Sequence, residues 1–381
     1  MRFAASLVLV LAACGGEGAA PDGGVDGARL VVRAGEGACK VTIRAIGAPR
    51  LVLHDPADGE GHVGRWLAGG ALAVDDTVLA ARCELSVDVP PGRYAVTVSR
   101  GPEHEAPSRE LELAAGAEQT LDVDLEPTVD STGWACADLH VHSAPSVDSD
   151  VPLEQRLVAA LAEGLDLMAA TDHDAIGDWG AALRSSGLEG RLVVVPGNEI
   201  SPGVGGTESN KGHFNVYPIP PDLALPDAMP HVGLTVEQIL AGARTAVPGA
   251  ILQINHPRSD PWFGYFSVID FDPVTGTGRA GMLASDFDAL EVWNGHGLDL
   301  GDREPPVDDV LEDWYALLRA GRGVVATGEQ RHAPPRAEPR RLATHLRARR
   351  RRSPPPCSTP RASWTACAPA TPSSPADRSS T

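Results

Sequence analysis

Histidines and carboxylates in this chain gather at the ends of short apolar runs. One run closes on Asp138-Leu139-His140-Val141-His142, with Asp148 six residues beyond. The next runs end in Thr171-Asp172-His173, Gly197-Asn198-Glu199, Gly212-His213-Phe214-Asn215 and Asn255-His256-Pro257. A His-x-His on a strand turns both imidazoles to one face, because side chains alternate with period two. Imidazoles together with carboxylates suit zinc, iron or manganese, and a bridging carboxylate such as Glu199 can hold two ions. A single histidine at a strand end is usually a surface or hydrogen-bonded residue, and His54, His62, His104, His231 and His296 take that reading. His140, His142, His173, His213 and His256 do not stand alone, since each ends a strand-like run. No Ser-His-Asp or Cys-His arrangement and no P-loop stands out.

Elements must bring those ends together. From about Pro127 onward, strand-like runs alternate with amphipathic helices, the mark of an α/β fold. The runs "CADLHVH", "LDLMAAT", "LVVVPGNEI", "HFNVYPI", "AILQINH", "DALEVWN" and "GVVATG" predict seven inner strands. One helix begins at Pro152 and stacks Leu153, Leu157 and Leu161. Another has Thr235 as N-cap and Gln238 three residues on, a capping box, and turns Val236, Ile239, Leu240 and Ala243 inward. A third spans Asp308 to Arg319 with Val310, Leu311, Trp314, Leu317 and Leu318 on one face. Seven strands with crossover helices fit a barrel better than an open sheet, and the rim at the strands' C-terminal ends is where barrel enzymes gather catalytic groups.

Before Pro127 the pattern is all-β. "ARLVVRA", "CKVTIRAI", "RLVLH", "CELSVDV", "RYAVTVSR" and "RELELA" alternate apolar and polar residues between turn signals, which predicts a small β-sandwich. It clusters no catalytic residue types, so scaffold, spacer or recognition are its expected roles. The N-terminal "MRFAASLVLVLAACGG" has one Arg before an apolar stretch too short to span a membrane. Its ending, Leu11-Ala12-Ala13-Cys14, is similar to a bacterial lipoprotein signal, which implies export and membrane attachment through a lipidated Cys14. The Gly/Ala/Asp-rich run after it reads as a tether. In an exported protein a bond between Cys39 and Cys83 is compatible with the compartment, although spacing leaves the pairing open.

The chain has 381 residues, with 51 Asp+Glu against 32 Lys+Arg, a balance that argues against a nucleic-acid partner. That average hides a break. The first 328 residues hold 21 basic and 48 acidic side chains, whereas from Glu329 onward there are 11 Arg and 3 acids. The expected organisation is therefore residues 1–27 signal and tether, 28–128 β-sandwich-like domain, 129–328 α/β domain and 329–381 disordered basic tail.

The motifs "DLHVHS", "TDHD", "PGNEIS", "GHFNVYPI" and "NHP", in this order, resemble the PHP (polymerase and histidinol phosphatase) metallohydrolases. The flanking "RYAVTVSRGPEHE" and "GWACADLHVHSAPSVDSD" are closer to the branch that includes carbaryl hydrolase, the CehA/McbA family. The resemblance covers roughly Val89 to Gly328 and implies a distorted (β/α)7 barrel with a cluster of two or three divalent ions. It implies that His140 and His142 bind one ion, that Glu199 bridges to a second completed by His213 and His256, and that Asp148 and His173 serve a third. Asp138, Asp172 and Asn255 then fit orienting roles, Asp172 and Asn255 being the candidate catalytic positions. The implied reaction is hydrolysis of a carbamate, amide, ester or phosphoester in a small-molecule substrate, by water that the metals activate. A small-molecule phosphodiesterase or phosphatase, and a non-catalytic ligand-binding surface lipoprotein, are the alternatives.

The resemblance also implies a closing motif like "GNSDxH" after the last inner strand, then "GWPRTYV". Here "GVVAT" is followed by "GEQRHAPP" instead, and no acid stands two residues before His332. If Glu329 to Pro334 are encoded GAA CAG CGA CAC GCA CC, a start one base later reads "NSDTH". The same shift across Arg341 to Arg349 permits "GWPRTYVRV". One extra base near Gly328 accounts for both, and for an Arg/Pro/Ser-rich tail without periodicity.

Overall fold

A computed structural model describes residues 27–54, 63–204, 211–220, 223, 229–259, 263–279, 281–294, 307–329 and 344–346. The N-terminal signal, His62, His296, His332 and most of the basic tail lie outside the described residues. Among the described residues no helix is long and apolar enough to cross a membrane.

The β-sheet part runs β1 (Ala28–Arg33), β2 (Cys39–Ala45), β3 (Arg65–Trp66), β4 (Leu72–Val74), β5 (Thr77–Ala80), β6 (Glu84–Val89), β7 (Gly92–Ser99), β8 (Ser108–Leu113) and β9 (Glu118–Asp122). Buried residues alternate with more exposed ones in β1, β2 and β6, whereas β4 and β5 are buried throughout. Strands β1 to β9 form two sheets, in orders β6-β1-β9 and β3-β4-β5-β2-β7-β8. Leu30 and Val32 from the first and Val41, Ile43, Val96 and Val98 from the second are fully buried in one shared core. A Cys39–Cys83 disulfide ties β2 to the residue before β6. The run "RLVLH" does not become a strand, and His54 forms an isolated bridge to Asp75.

The α/β part follows as β10 (Ala135–Val141), α1 (Leu153–Ala162), β11 (Leu167–Ala170), α2 (Trp179–Ser185), β12 (Val193–Pro196), β13 (Asn198–Ile200), β14 (Phe214–Tyr217), α3 (Val236–Ala246), β15 (Ile251–Ile254), α4 (Tyr265–Val268), β16 (Ala289–Asn294), α5 (Val307–Arg319), β17 (Val325–Glu329) and β18 (Thr344–Leu346). Its sheets run β12-β11-β10-β18 and β13-β14-β15-β16-β17. Pairing is parallel at β10–β11–β12 and at β15–β16–β17, but antiparallel on both sides of β14. β18, within the basic tail, pairs antiparallel with β10.

The seven expected runs thus yield one strand more, because "LVVVPGNEI" breaks at Gly197. A Cβ there would lie 3.0 Å from both Thr171 Cγ2 and the Val216 carbonyl oxygen. A side chain there would press on both neighbours, so glycine suits the crossing from one sheet to the other. The ladders define two open sheets in a mixed α/β arrangement, joined by an isolated parallel bridge between His173 and Glu199, with β17 running close to β10.

Helices cover the sheets as their periodicity requires. Thr235 caps α3 through a complete capping box with Gln238, and Val236, Ile239, Leu240 and Ala243 are buried. On α5, Val310 and Leu317 are buried, whereas Leu318 is 39% exposed. On α1, Leu157 and Leu161 share a core with Leu72, Val74 and Leu79 of the β-sheet part. Gln155 strengthens that junction by accepting from the Gly64 N–H and donating to the Gly64 carbonyl, both at 2.8 Å. Lys40 and Glu163 add an ion pair of 2.6 Å.

Candidate metal centre

The strand ends converge on Glu199. This side chain on β13 is fully buried. Its Oε2 lies 2.9 Å from His142 Nε2, 3.0 Å from His173 Nδ1 and 3.3 Å from His140 Nε2. Its Oε1 lies 3.3 Å from His213 Nδ1 and 3.4 Å from His256 Nε2. One carboxylate therefore faces five imidazoles, three on one oxygen and two on the other. The alternation along β10 puts His140 and His142 on one face, with their Nε2 atoms 3.0 Å apart.

Asp148, in the loop after β10, lies 3.0 Å from His142 Nδ1 and 3.5 Å from His173 Nε2. Ser146 Oγ donates to it at 2.7 Å. Asp172 sits just beyond β11, and its Oδ1 accepts from the Ser143 N–H at 2.6 Å and from Ser143 Oγ at 3.0 Å. It therefore holds the chain past His142 and makes its contacts to Ser143 rather than to an imidazole. Asn255 donates to Glu199 Oε1 at 2.8 Å, so it orients the carboxylate. Asp138 Oδ1 accepts from the His140 backbone N–H at 3.1 Å.

Glu291 on β16 belongs to this centre and was not among the residues singled out from the sequence. It lies 3.2 Å from His140 Nδ1, and its Oε2 accepts from the His256 N–H at 2.5 Å. The signal was an acid in the middle of the apolar run "DALEVWN", where a buried charge needs a partner. His231, read as an ordinary histidine, has Nε2 3.6 Å from Asp174 Oδ2. Asp174 and His256 have φ of 47° and 27°, in the left-handed region that non-glycine residues adopt uncommonly.

Electrostatics divide the imidazoles. Burial opposes charge on His140, yet Glu199 and Glu291 hold its pKa well above the ordinary value. Burial likewise opposes ionisation of Glu199, but His173 and His140 keep it well below the usual carboxylate range. Burial pushes His142 down, and His213 down to about 3, leaving both neutral with lone pairs to offer. Asp172 is pushed up to about 6 by burial, against the hydrogen bonds from Ser143 and the charge of Arg156.

Such a centre suits divalent cations. Neither ring nitrogen of buried His213 and not Oε2 of Glu199 has a hydrogen-bond partner among the described residues, despite the close nitrogens around them. Lone pairs converging in a buried site are what a cation relieves. Among the described residues three overlapping groups could each hold an ion: His140, His142 and Glu199; His142, Asp148 and His173; and His173, Glu199 and His213. The donor set of nitrogen and oxygen defines the class of centre as histidine–carboxylate.

No family model matches the chain. No curated protein matches it either. Among solved structures, a two-domain protein from Bacteroides vulgatus containing a predicted PHP-like metal-dependent phosphoesterase aligns at 18% identity and TM-score 0.32, over 52% of this chain and 55% of its own. A candidate metal-dependent phosphoesterase from Bifidobacterium adolescentis aligns at 15% identity and TM-score 0.33, over 51% of this chain and 86% of its own. The chain thus spans about half the length of the first of these proteins, and TM-scores of this size do not define its fold.

Proposed function

We propose that the chain is a PHP-type, metal-dependent hydrolase of the carbaryl-hydrolase-like CehA/McbA branch, holding two or three zinc, manganese or iron ions. The observation that carries this reading is Glu199 turning one oxygen to three imidazoles and the other to two. His140, His142 and His173 would hold an ion against Oε2, His213 and His256 one against Oε1, and Asp148 would serve the His142–His173 side. When bound, such ions lower the pKa of water and polarise a carbamate, amide, ester or phosphoester bond. Glu291 orients His140, Asn255 orients Glu199, and Asp172 steadies the chain after His142. In the same reading the two sheets are arcs of one distorted seven-stranded barrel, with β17 approaching β10, and the β-sheet part is a separate domain. Export and lipid attachment at Cys14 follow from the N-terminal signal.

The closing Asp/His pair of such an enzyme is missing after β17, so low activity belongs to the proposal. Sequencing the gene across the codons for Thr327 to Arg349 tests whether one base is extra. Metal content tests the function directly. Equilibrium dialysis against zinc, manganese or iron is expected to load about two ions per chain, and the double replacement of His140 and His142 by Ala to remove at least one. Metal that is absent, or that stays after that replacement, sinks the reading.

A further inference from the structure

Beneath the cluster, a chain of hydrogen bonds runs from β14 and β15 to Glu199. The Tyr217 hydroxyl donates to Gln253 Oε1 at 2.6 Å, and Thr327 Oγ1 from β17 donates to the same oxygen at 3.2 Å. Gln253 Nε2 then donates to Asn255 Oδ1 at 3.1 Å. Asn255 Nδ2 donates to Glu199 Oε1 and to Asn215 Oδ1, both at 2.8 Å. Asn215 Nδ2 donates in turn to the Leu139 carbonyl at 3.2 Å, one residue before His140. All six side chains are buried.

The links share one direction. The Glu199 carboxylate can only accept, so the Asn255 NH2 must face it. The Asn255 oxygen then takes the Gln253 NH2, which leaves the Gln253 oxygen to the two hydroxyls. Were either amide reversed, a carbonyl oxygen would meet a carboxylate or another carbonyl oxygen. In a buried site each such mismatch leaves polar groups unpaired and is unfavourable. The arrangement leaves Glu199 as the terminal acceptor, its Oε1 anchored and its Oε2 turned to His140, His142 and His173.

We propose that Gln253, held by Tyr217 and Thr327, is a positioning residue that fixes Glu199 in its two-sided orientation. This rests on the metal-centre reading above. None of the three residues faces the imidazoles in these hydrogen bonds, which reach Glu199 through Asn255.

Two variants separate positioning from simple support. Gln253→Glu keeps the size but replaces the donating NH2 by an acceptor, and Tyr217→Phe removes one hydroxyl. The full chain and both variants are titrated with cobalt(II), followed by visible absorption of the bound ion, with thermal unfolding measured in parallel. Gln253→Glu is expected to weaken cobalt binding by about 10–100-fold and to alter the absorption bands, as loss of an orienting partner does. Tyr217→Phe is expected to shift the bands in the same direction with a weakening of about threefold to tenfold. If cobalt affinity and spectrum match the parent while only the melting temperature falls, the residues are merely structural and the proposal is overturned. Should Gln253→Glu fail to fold, Tyr217→Phe decides alone by the same criterion. A parent chain that takes up no cobalt overturns the metal reading and this proposal together, whereas an unchanged variant of a cobalt-binding parent overturns the proposal only.

Discussion

Asp313 on α5 is fully buried and holds Arg258 by two bonds, from Nε at 2.7 Å and from Nη2 at 2.6 Å. Arg258 stands two residues past His256, and its Nη2 also donates to the Phe271 carbonyl at 2.6 Å. The pair therefore pins the strained turn that carries His256 to the helix behind it. Asp313→Asn removes the charge but little volume, and leaves a guanidinium facing a neutral amide. Breaking a buried pair costs about 3–5 kcal/mol. The Arg258 side chain is 22% exposed and can recover some hydration, so the lower end, about 3 kcal/mol, is expected. Burial pushes the Asp313 carboxyl up against the pull of Arg258, which marks a desolvation penalty that the partner only partly offsets. Replacing both residues, as Arg258→Met with Asp313→Leu, should therefore cost less than about 1.5 kcal/mol. Urea unfolding followed by both circular dichroism and tryptophan fluorescence reads these values, provided the two transitions coincide. A single replacement costing under about 1 kcal/mol, or a double one costing the sum of the two singles, would refute the reasoning.

Cys136 is buried, and its thiol is pushed up to about 12 chiefly by burial, with Glu103, Asp166 and Asp138 adding to the effect. From its ordinary value of 9.0 upward an unfolded chain releases a proton that the folded chain keeps, so stability should fall as pH rises from there toward about 12. At pH 8.5, iodoacetamide should modify the Cys136 peptide in urea and not in buffer, as read by mass spectrometry, and equal labelling in both would contradict that burial. The Cys39–Cys83 bond closes a segment of 44 residues, and the chain-entropy relation gives it about 4 kcal/mol. Reducing it should lower the urea midpoint of the β-sheet part accordingly, and an unchanged midpoint would mean the reduced chain keeps that constraint by other means.

Much of this centre was legible because its chemistry sits where strands stop. His140, His142, His173, Glu199, His213 and His256 were found by residue type beside apolar runs, and the fold brings all six together. His213, expected where a strand stops, instead precedes β14, whose antiparallel direction carries its start to the same end as its neighbours' finish. Spacing along one strand could not reveal what stands opposite on another. Glu291 reaches His140 across 151 residues, and Gln253 and Tyr217 meet by cross-strand register rather than by any local pattern. The capping box of α3 was legible to the residue, since Thr235 and Gln238 interact within one turn. The antiparallel placement of β14 was not, because alternating strands and helices describe what connects the strands and not the direction in which they pair. Gly197 was overlooked as a crossing point, since the apolar residues on both sides read as one strand.

The distance in sequence between His140 and Glu291 also orders events in time. No segment short of most of the α/β part contains the partners that orient His140, and bringing residues so far apart together carries a loop-closure cost that must be met first. An ion entering this centre before then would meet single histidines on an open chain, which hold most divalent cations weakly. In the proposed reading, selection among divalent cations would therefore fall to the finished cluster, and the ion bound would depend on what is present where the chain completes its fold.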